Sequence, residues 1–106
     1  MLQAIKNLFG VGPKVDYSEL LKQGAIIIDV RTKTEFDQGH IKGSVNISVN
    51  ELKTNLNKLK DKNKPVITCC ASGARSALAK SVLKSGGYSQ VYNGGSWHKL
   101  EHKIKG

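Results

Sequence analysis

The chain has 106 residues, enough for one hydrophobic core and too few for two cores joined by a linker. With 39% hydrophobic and 24% charged residues, eleven glycines and two prolines, it falls in the globular range and is neither collagen-like nor low-complexity. Seventeen Lys and Arg against eight Asp and Glu give +9, a surface that favours anionic substrates and acidic proteins. Basic residues spread along the chain with only 6% aromatics argue against a nucleic-acid reader. No apolar run approaches the roughly 20 residues of a membrane-spanning helix. The first residues, MLQAIKNLFGVGP, lack the basic start, long apolar stretch and small-residue cleavage site of a secretory signal, so a cytoplasmic protein with no membrane partner is expected.

Residues 1–14 are expected to be an N-terminal extension, with Leu2, Ile5 and Phe9 able to form a short apolar side, and residues 15–106 a single domain. Asp16 can cap a helix whose third residue is Glu19, with Val15 packing on Leu20, and Gly24 stops it. AIIIDV then reads as a strand buried on both faces that reaches its polar end at Asp29. Thr32 and Glu35 repeat the capping pattern for a very short helix ended by Gly39. After a short β-branched stretch, Ser48 and Glu51 open a third helix, on which Val49, Leu52, Leu56 and Leu59 form one apolar stripe while Lys and Asn occupy the other faces.

Pro65 begins the strand PVITC, and CASGARS follows as a loop of small residues. A helix is predicted from Ser76 to Ser85 with Leu78, Ala79, Val82 and Leu83 on one face, ended by Gly86 and Gly87. SQVYN is a last strand, GGS a turn, and the remainder a basic helix carrying Trp97, Leu100 and Ile104. Strands alternating with helices predict an α/β domain with a mainly parallel central sheet flanked by helices on both faces.

Ligands of such sheets gather beyond the carboxyl ends of the strands, and two loops there carry chemistry: Asp29-Val30-Arg31, and Cys70 through Ser76. Cysteine reacts as a thiolate, and backbone amides, a helix N-terminus and a cation all favour that anion over a thiol of pKa about 8.5. The small residues Ala71, Ser72, Gly73 and Ala74 let the loop curl so that its N–H groups point inward at the head of the helix, with Arg75 as the cation. Cys69, next in sequence to Cys70, has its Cα only about 3.8 Å away, short of the roughly 4.4–6.8 Å of ordinary disulfides. Both thiols are therefore expected to stay reduced, with Cys69 a structural residue of the strand rather than a resolving partner that attacks an oxidised Cys70. Asp29 and Arg31 are either a surface ion pair, commonly worth no more than about 1 kcal/mol, or, as their place at a buried strand end favours, supports of the site, with Asp29 fixing the active-site loop. Glu35 is explained as the capping partner of Thr32. His98 and His102 have no third ligand nearby in sequence, so a solvated basic helix is favoured over a metal site.

The segments IIIDVRTKTEFDQGHIKGSVNI, VITCCASGARSALAKSVLKSGG and VYNGGSWHKL resemble, in order and spacing, the signatures of single-domain rhodaneses, a family of sulfurtransferases. The resemblance covers nearly everything from Val15 to Leu100. It implies the rhodanese-like fold and transfer of a sulfane sulfur from thiosulfate or a persulfide donor to a thiol, cyanide or protein acceptor, through a persulfide on Cys70. The main-chain amides of Ala71, Ser72, Gly73, Ala74, Arg75 and Ser76 would then stabilise the terminal sulfur, and Arg75 would orient the anionic donor. His40 becomes a structural group of the Gly39-His40-Ile41 turn. No cofactor or metal is implied, and a monomer is expected. Four residues separate Cys70 from Arg75, one fewer than in similar cell-cycle phosphatases, which places phosphatase or arsenate reductase chemistry behind sulfur transfer. A persulfide-carrying or regulatory module that binds an acidic protein through the basic surface is the other reading.

Overall fold

The computed structural model describes residues 15–105, so the extension expected over residues 1–14 lies outside the described part. Helix α1 (Tyr17–Lys22) starts at Asp16, whose carboxylate accepts the Glu19 N–H at 3.0 Å. Gly24 then takes a φ of 92°, a left-handed conformation that glycine adopts without strain, and turns the chain into strand β1 (Ile26–Asp29). Val15, expected to pack on Leu20, is exposed. Helix α2 (Lys33–Gln38) carries the complete capping box of Thr32 and Glu35.

Strand β2 (Val45–Asn46), β1, strand β3 (Val66–Cys70) and strand β4 (Val91–Ser96) lie side by side in the order β2-β1-β3-β4, all parallel. Alternating residues of the two central strands feed two cores. Ile28, Val30, Val66 and Cys70 face Leu52, Leu59, Ala79 and Leu83 on one side. Ile27, Ile67 and Cys69 face Tyr17, Leu20, Ile41 and Leu100 on the other. Helix α3 (Val49–Leu52) and helix α4 (Ala74–Ser85) cover the first face; α1 and helix α5 (Trp97–Lys105) cover the second. The predicted α/β architecture with helices on both faces is the one observed.

Several local expectations fail. The helix predicted over Val49 to Leu59 stops after one turn at Leu52, and a 3-10 turn (Leu56–Lys58) follows. Ser48 makes no side-chain cap bond. Thr54 Oγ1 and Asn55 Nδ2 donate to the Glu51 carbonyl at 3.1 and 2.8 Å, side-chain bonds that compete with the helical ladder. Leu52 and Leu59 are buried all the same, with Val49 and Leu56 packed beside them. Helix α4 starts at Ala74 rather than Ser76 and buries Ser76, Ala79 and Leu83. Leu78, assigned to its apolar face, is 57% exposed, because it sits about 100° around the helix from Ala79. The GGS segment is strand rather than turn: β4 runs through Gly94 and Gly95 to Ser96, and α5 begins at the next residue. Gly94 is needed there, since a Cβ would lie 2.8 Å from the Thr68 carbonyl oxygen.

Candidate active site

Because β1 and β3 are adjacent and parallel, with Asp29 opposite Cys69, they deliver Asp29 and Cys70 to the same edge of the sheet. Cys70 ends β3, and its residue is fully buried. Beyond it the chain turns back at Gly73, whose φ of 108° disfavours any side-chain-bearing residue. That turn brings the Gly73 N–H to 2.9 Å from Cys70 Sγ, and the Ser76 N–H, in the first turn of α4, donates to the same sulfur at 3.3 Å. Among the described residues, the N–H groups of Ala71, Ser72, Ala74 and Arg75 make no hydrogen bond to Sγ; Ala71, Ser72 and Ala74 are exposed around it. The sulfur thus lies under a small-residue loop at the head of a helix, with two main-chain N–H groups directed at it.

The Ser76 hydroxyl points away from this cradle. It donates to Asn93 Oδ1 and meets Thr68 Oγ1 at 2.7 Å, while Thr68 Oγ1 donates to the Ser76 carbonyl at 3.0 Å. Asn93 Oδ1 also accepts the Gly95 N–H at 2.9 Å. This buried network ties the head of α4 to β3 and β4 and so holds the Ser76 N–H against the sulfur. Sequence reasoning missed Thr68 and Asn93; the available signal was a hydroxyl inside an apolar strand and an amide just ahead of two glycines.

Asp29 and Arg31 are 0% and 4% exposed, so they are not a surface pair. The Asp29 carboxylate accepts the Arg31 main-chain N–H at 3.1 Å, Nε–H at 2.9 and 3.0 Å, and an Nη2–H at 2.6 Å, and this bonding raises the arginine further above its ordinary pKa. Arg31 donates onward to the carbonyls of Glu35 (3.2 Å) and Gly39 (2.7 Å) and lies 4.7 Å from the Trp97 ring centroid. The expectation that Asp29 fixes the loop after Cys70 is therefore corrected. Among the described residues its carboxylate bonds only Arg31, and the pair fastens α2 and the turn behind it.

Glu35 does more than cap a helix. Its Oε1 accepts the Thr32 N–H at 3.0 Å, while Oε1 and Oε2 accept Arg75 Nη1–H and Nη2–H at 2.7 and 2.9 Å. The Arg75 bonds, aided by the Thr32 amide, hold its carboxyl down to about 2. Forty positions separate the partners, so spacing alone could not reveal them. His40 bonds the Phe36 carbonyl at 2.8 Å and stacks on the Phe36 ring, a structural role. His98 stacks on Trp97, and among the described residues no group of three or more potential ligands is arranged to hold a metal. Cys69 projects into the opposite core from Cys70; both thiols are free, and burial pushes that of Cys69 up to about 12.

A cysteine beneath helix-head amides, beside an arginine, at the carboxyl edge of a parallel α/β sheet defines a nucleophilic or anion-binding thiol site. Known proteins supply the family. The model of the rhodanese-like domain matches residues 14–101, and the chain belongs to that family. It is 36% identical over 81 residues to the thiosulfate sulfurtransferase PspE of Escherichia coli, covering 74% of this chain and 78% of PspE. It is 39% identical over 82 residues to the uncharacterized Bacillus subtilis protein YqhL, covering 76% of this chain. The chain spans 64% of YqhL and 51% of Escherichia coli YibN, another relative. The solved human single-domain sulfurtransferase TSTD1 superposes with a TM-score of 0.72 at 27% identity, over 87% of this chain and 97% of TSTD1. An Escherichia coli rhodanese solved with anions gives 0.67 at 34% identity, over 71% and 89%.

Proposed function

We propose that the protein is a sulfurtransferase in which Cys70 carries the sulfur. The observation that bears most weight is the convergence of the Gly73 and Ser76 N–H groups on Cys70 Sγ. The Cys70 thiolate attacks the outer sulfur of thiosulfate. The new S–S bond forms as the S–S bond of the donor breaks, and sulfite leaves with the electron pair. An acceptor, cyanide or a thiolate, then attacks the terminal sulfur of the persulfide and returns the thiolate to Cys70. The amides of Ala71, Ser72, Gly73, Ala74, Arg75 and Ser76 serve as the cradle, the two already on Sγ holding its charge through the reaction. Arg75 meets the charge of the donor, and Asp29 with Arg31 supports the neighbouring segment.

Intact-mass measurement after incubation with thiosulfate tests the reading. One sulfur atom should be added, removed by cyanide, and absent in Cys70→Ser. An unchanged mass, under conditions where a known rhodanese gains sulfur, would refute it, and turnover of an aryl phosphate at Cys70 would move the assignment to phosphoryl transfer.

A second reading, in which the domain hands sulfur to an acidic protein or regulates one, draws on the charge. The net charge is +9, and among the described residues only two lysines, Lys33 and Lys105, lie within ion-pair distance of a carboxylate. A salt-sensitive complex with an acidic protein, together with negligible thiosulfate:cyanide turnover, would select it.

A further inference from the structure

We propose, building on the sulfurtransferase reading, that Glu35 is a positioning residue for the anionic donor: it aims Arg75 across the mouth of the cradle and thereby sets donor affinity. Glu35 occupies the third position of α2, on a different loop from Cys70, and the capping box immobilises it, since Oε1 is held by the Thr32 N–H at 3.0 Å and lies 3.1 Å from Thr32 Oγ1. The fixed carboxylate grips the end of Arg75 with both oxygens, at 2.7 and 2.9 Å. A two-point grip fixes the plane of a guanidinium as well as its place. It engages one N–H on each terminal nitrogen, and of the five that an arginine carries the rest make no hydrogen bond among the described residues. Arg75 immediately precedes Ser76, whose N–H lies on the Cys70 sulfur. The guanidinium is therefore held in one place and plane with donors to spare, on the residue next to the one whose N–H reaches the sulfur, whereas an arginine without this anchor would sample many rotamers.

The sign of one change separates positioning from simple charge. A carboxylate near an anion site repels the anion, so if Glu35 acted only through its charge, neutralising it would tighten donor binding. If it acts by aiming Arg75, neutralising it weakens binding. Glu35→Gln is the suitable variant, because glutamine also serves as the third residue of a capping box while the charged two-point grip is lost.

Two measurements decide it. In the first, thiosulfate is titrated by NMR onto Cys70→Ser protein, which cannot turn over, with and without Glu35→Gln. In the second, steady-state thiosulfate:cyanide kinetics are compared for wild type, Glu35→Gln, Arg75→Ala and the double variant. We expect Glu35→Gln to raise both the thiosulfate Kd and the KM by about fivefold or more, to leave kcat at saturating thiosulfate within about twofold, and to have no further effect once Arg75 is alanine. A Kd that falls or stays the same, or an equal loss in the Arg75→Ala background, overturns the assignment. The parent reading fails separately. Wild type that gains no sulfur refutes sulfur transfer, even where Glu35→Gln still weakens thiosulfate binding. Wild type that gains sulfur, with no weakening by Glu35→Gln, refutes positioning alone.

Discussion

Replacing Gly94 by alanine tests how tightly β4 is laid against the strand that ends in Cys70. The added methyl would lie 2.8 Å from the Thr68 carbonyl oxygen, 2.9 Å from Leu100 Cδ2 and 3.0 Å from Ile67 Cγ2, against an optimal separation of about 3.5–4.0 Å between carbons. Leu100 and Ile67 are both 0% exposed, so neither side chain can swing into solvent, and the carbonyl belongs to the backbone of β3. Overpacking of this kind typically costs about 1–3 kcal/mol. Alanine recovers roughly 0.5–1 kcal/mol of glycine's entropic disadvantage in a strand, which leaves a net loss of roughly 0–2.5 kcal/mol, centred near about 1 kcal/mol. For a domain of this size a loss of about 1 kcal/mol lowers Tm by about 4–8 °C. Thermal unfolding followed by circular dichroism reads it directly. Because Leu100 supplies one of the three contacts, combining Gly94→Ala with Leu100→Val should cost less than the two single losses added together. A Gly94→Ala protein melting within about 2 °C of wild type, or strict additivity with Leu100→Val, would refute the packing argument.

Other consequences can be measured in the same way. Leu83→Ala, at a fully buried position of α4, should cost about 2–5 kcal/mol, whereas Leu78→Ala, 57% exposed, should stay within about 0.5 kcal/mol; urea midpoints distinguish them. Asp29→Asn leaves the buried Arg31 guanidinium facing a neutral amide and should lose about 3–5 kcal/mol in urea unfolding; a loss under about 1 kcal/mol would mean that the pair contributes little. The Cys69 thiol is raised to about 12 in the folded chain, so its contribution is complete below about 8.5, the pKa of an unfolded cysteine, and falls as pH rises towards 12 because the unfolded chain releases that proton first. The urea midpoint of wild type should therefore drop more between pH 8 and 11 than that of Cys69→Ala. Glu35 has the opposite sign: lowered from 4.5 to about 2, its contribution is present above about 4.5 and lost as pH falls towards 2. An acid titration of stability should show that loss in wild type and not in Glu35→Gln.

Much of the fold is legible wherever a local rule decides the outcome. Thr32 and Glu35 are three positions apart and cap α2 as their types require; Ala25 to Ile28 read as a strand buried on both faces, and Gly24 turns the chain between α1 and β1. The reading fails where side chains compete or where distant segments meet. Thr54 and Asn55 capture the Glu51 carbonyl and end a helix whose apolar spacing continues to Leu59. Leu78 has a helical neighbour's hydrophobicity without its direction. At the site, Cys70 and its loop are visible from residue type and order. The Glu35 to Arg75 bridge and the contacts among Thr68, Ser76 and Asn93 depend on strands that meet only after folding. Asp29 and Arg31 stand two positions apart, yet their burial comes from the layers above and below them, which no window of sequence contains.

Cys69 and Cys70 are the chain's two cysteines, and the sheet stands between their side chains. Sequence adjacency has therefore not produced a redox couple. Whatever cargo or oxidative damage Cys70 acquires, its neighbour is on the wrong side of a hydrogen-bonded wall to relieve it. Under the proposed sulfur transfer, regeneration falls to an incoming acceptor or reductant, and the availability of that visitor, rather than a relay through Cys69, sets how long the modified protein persists.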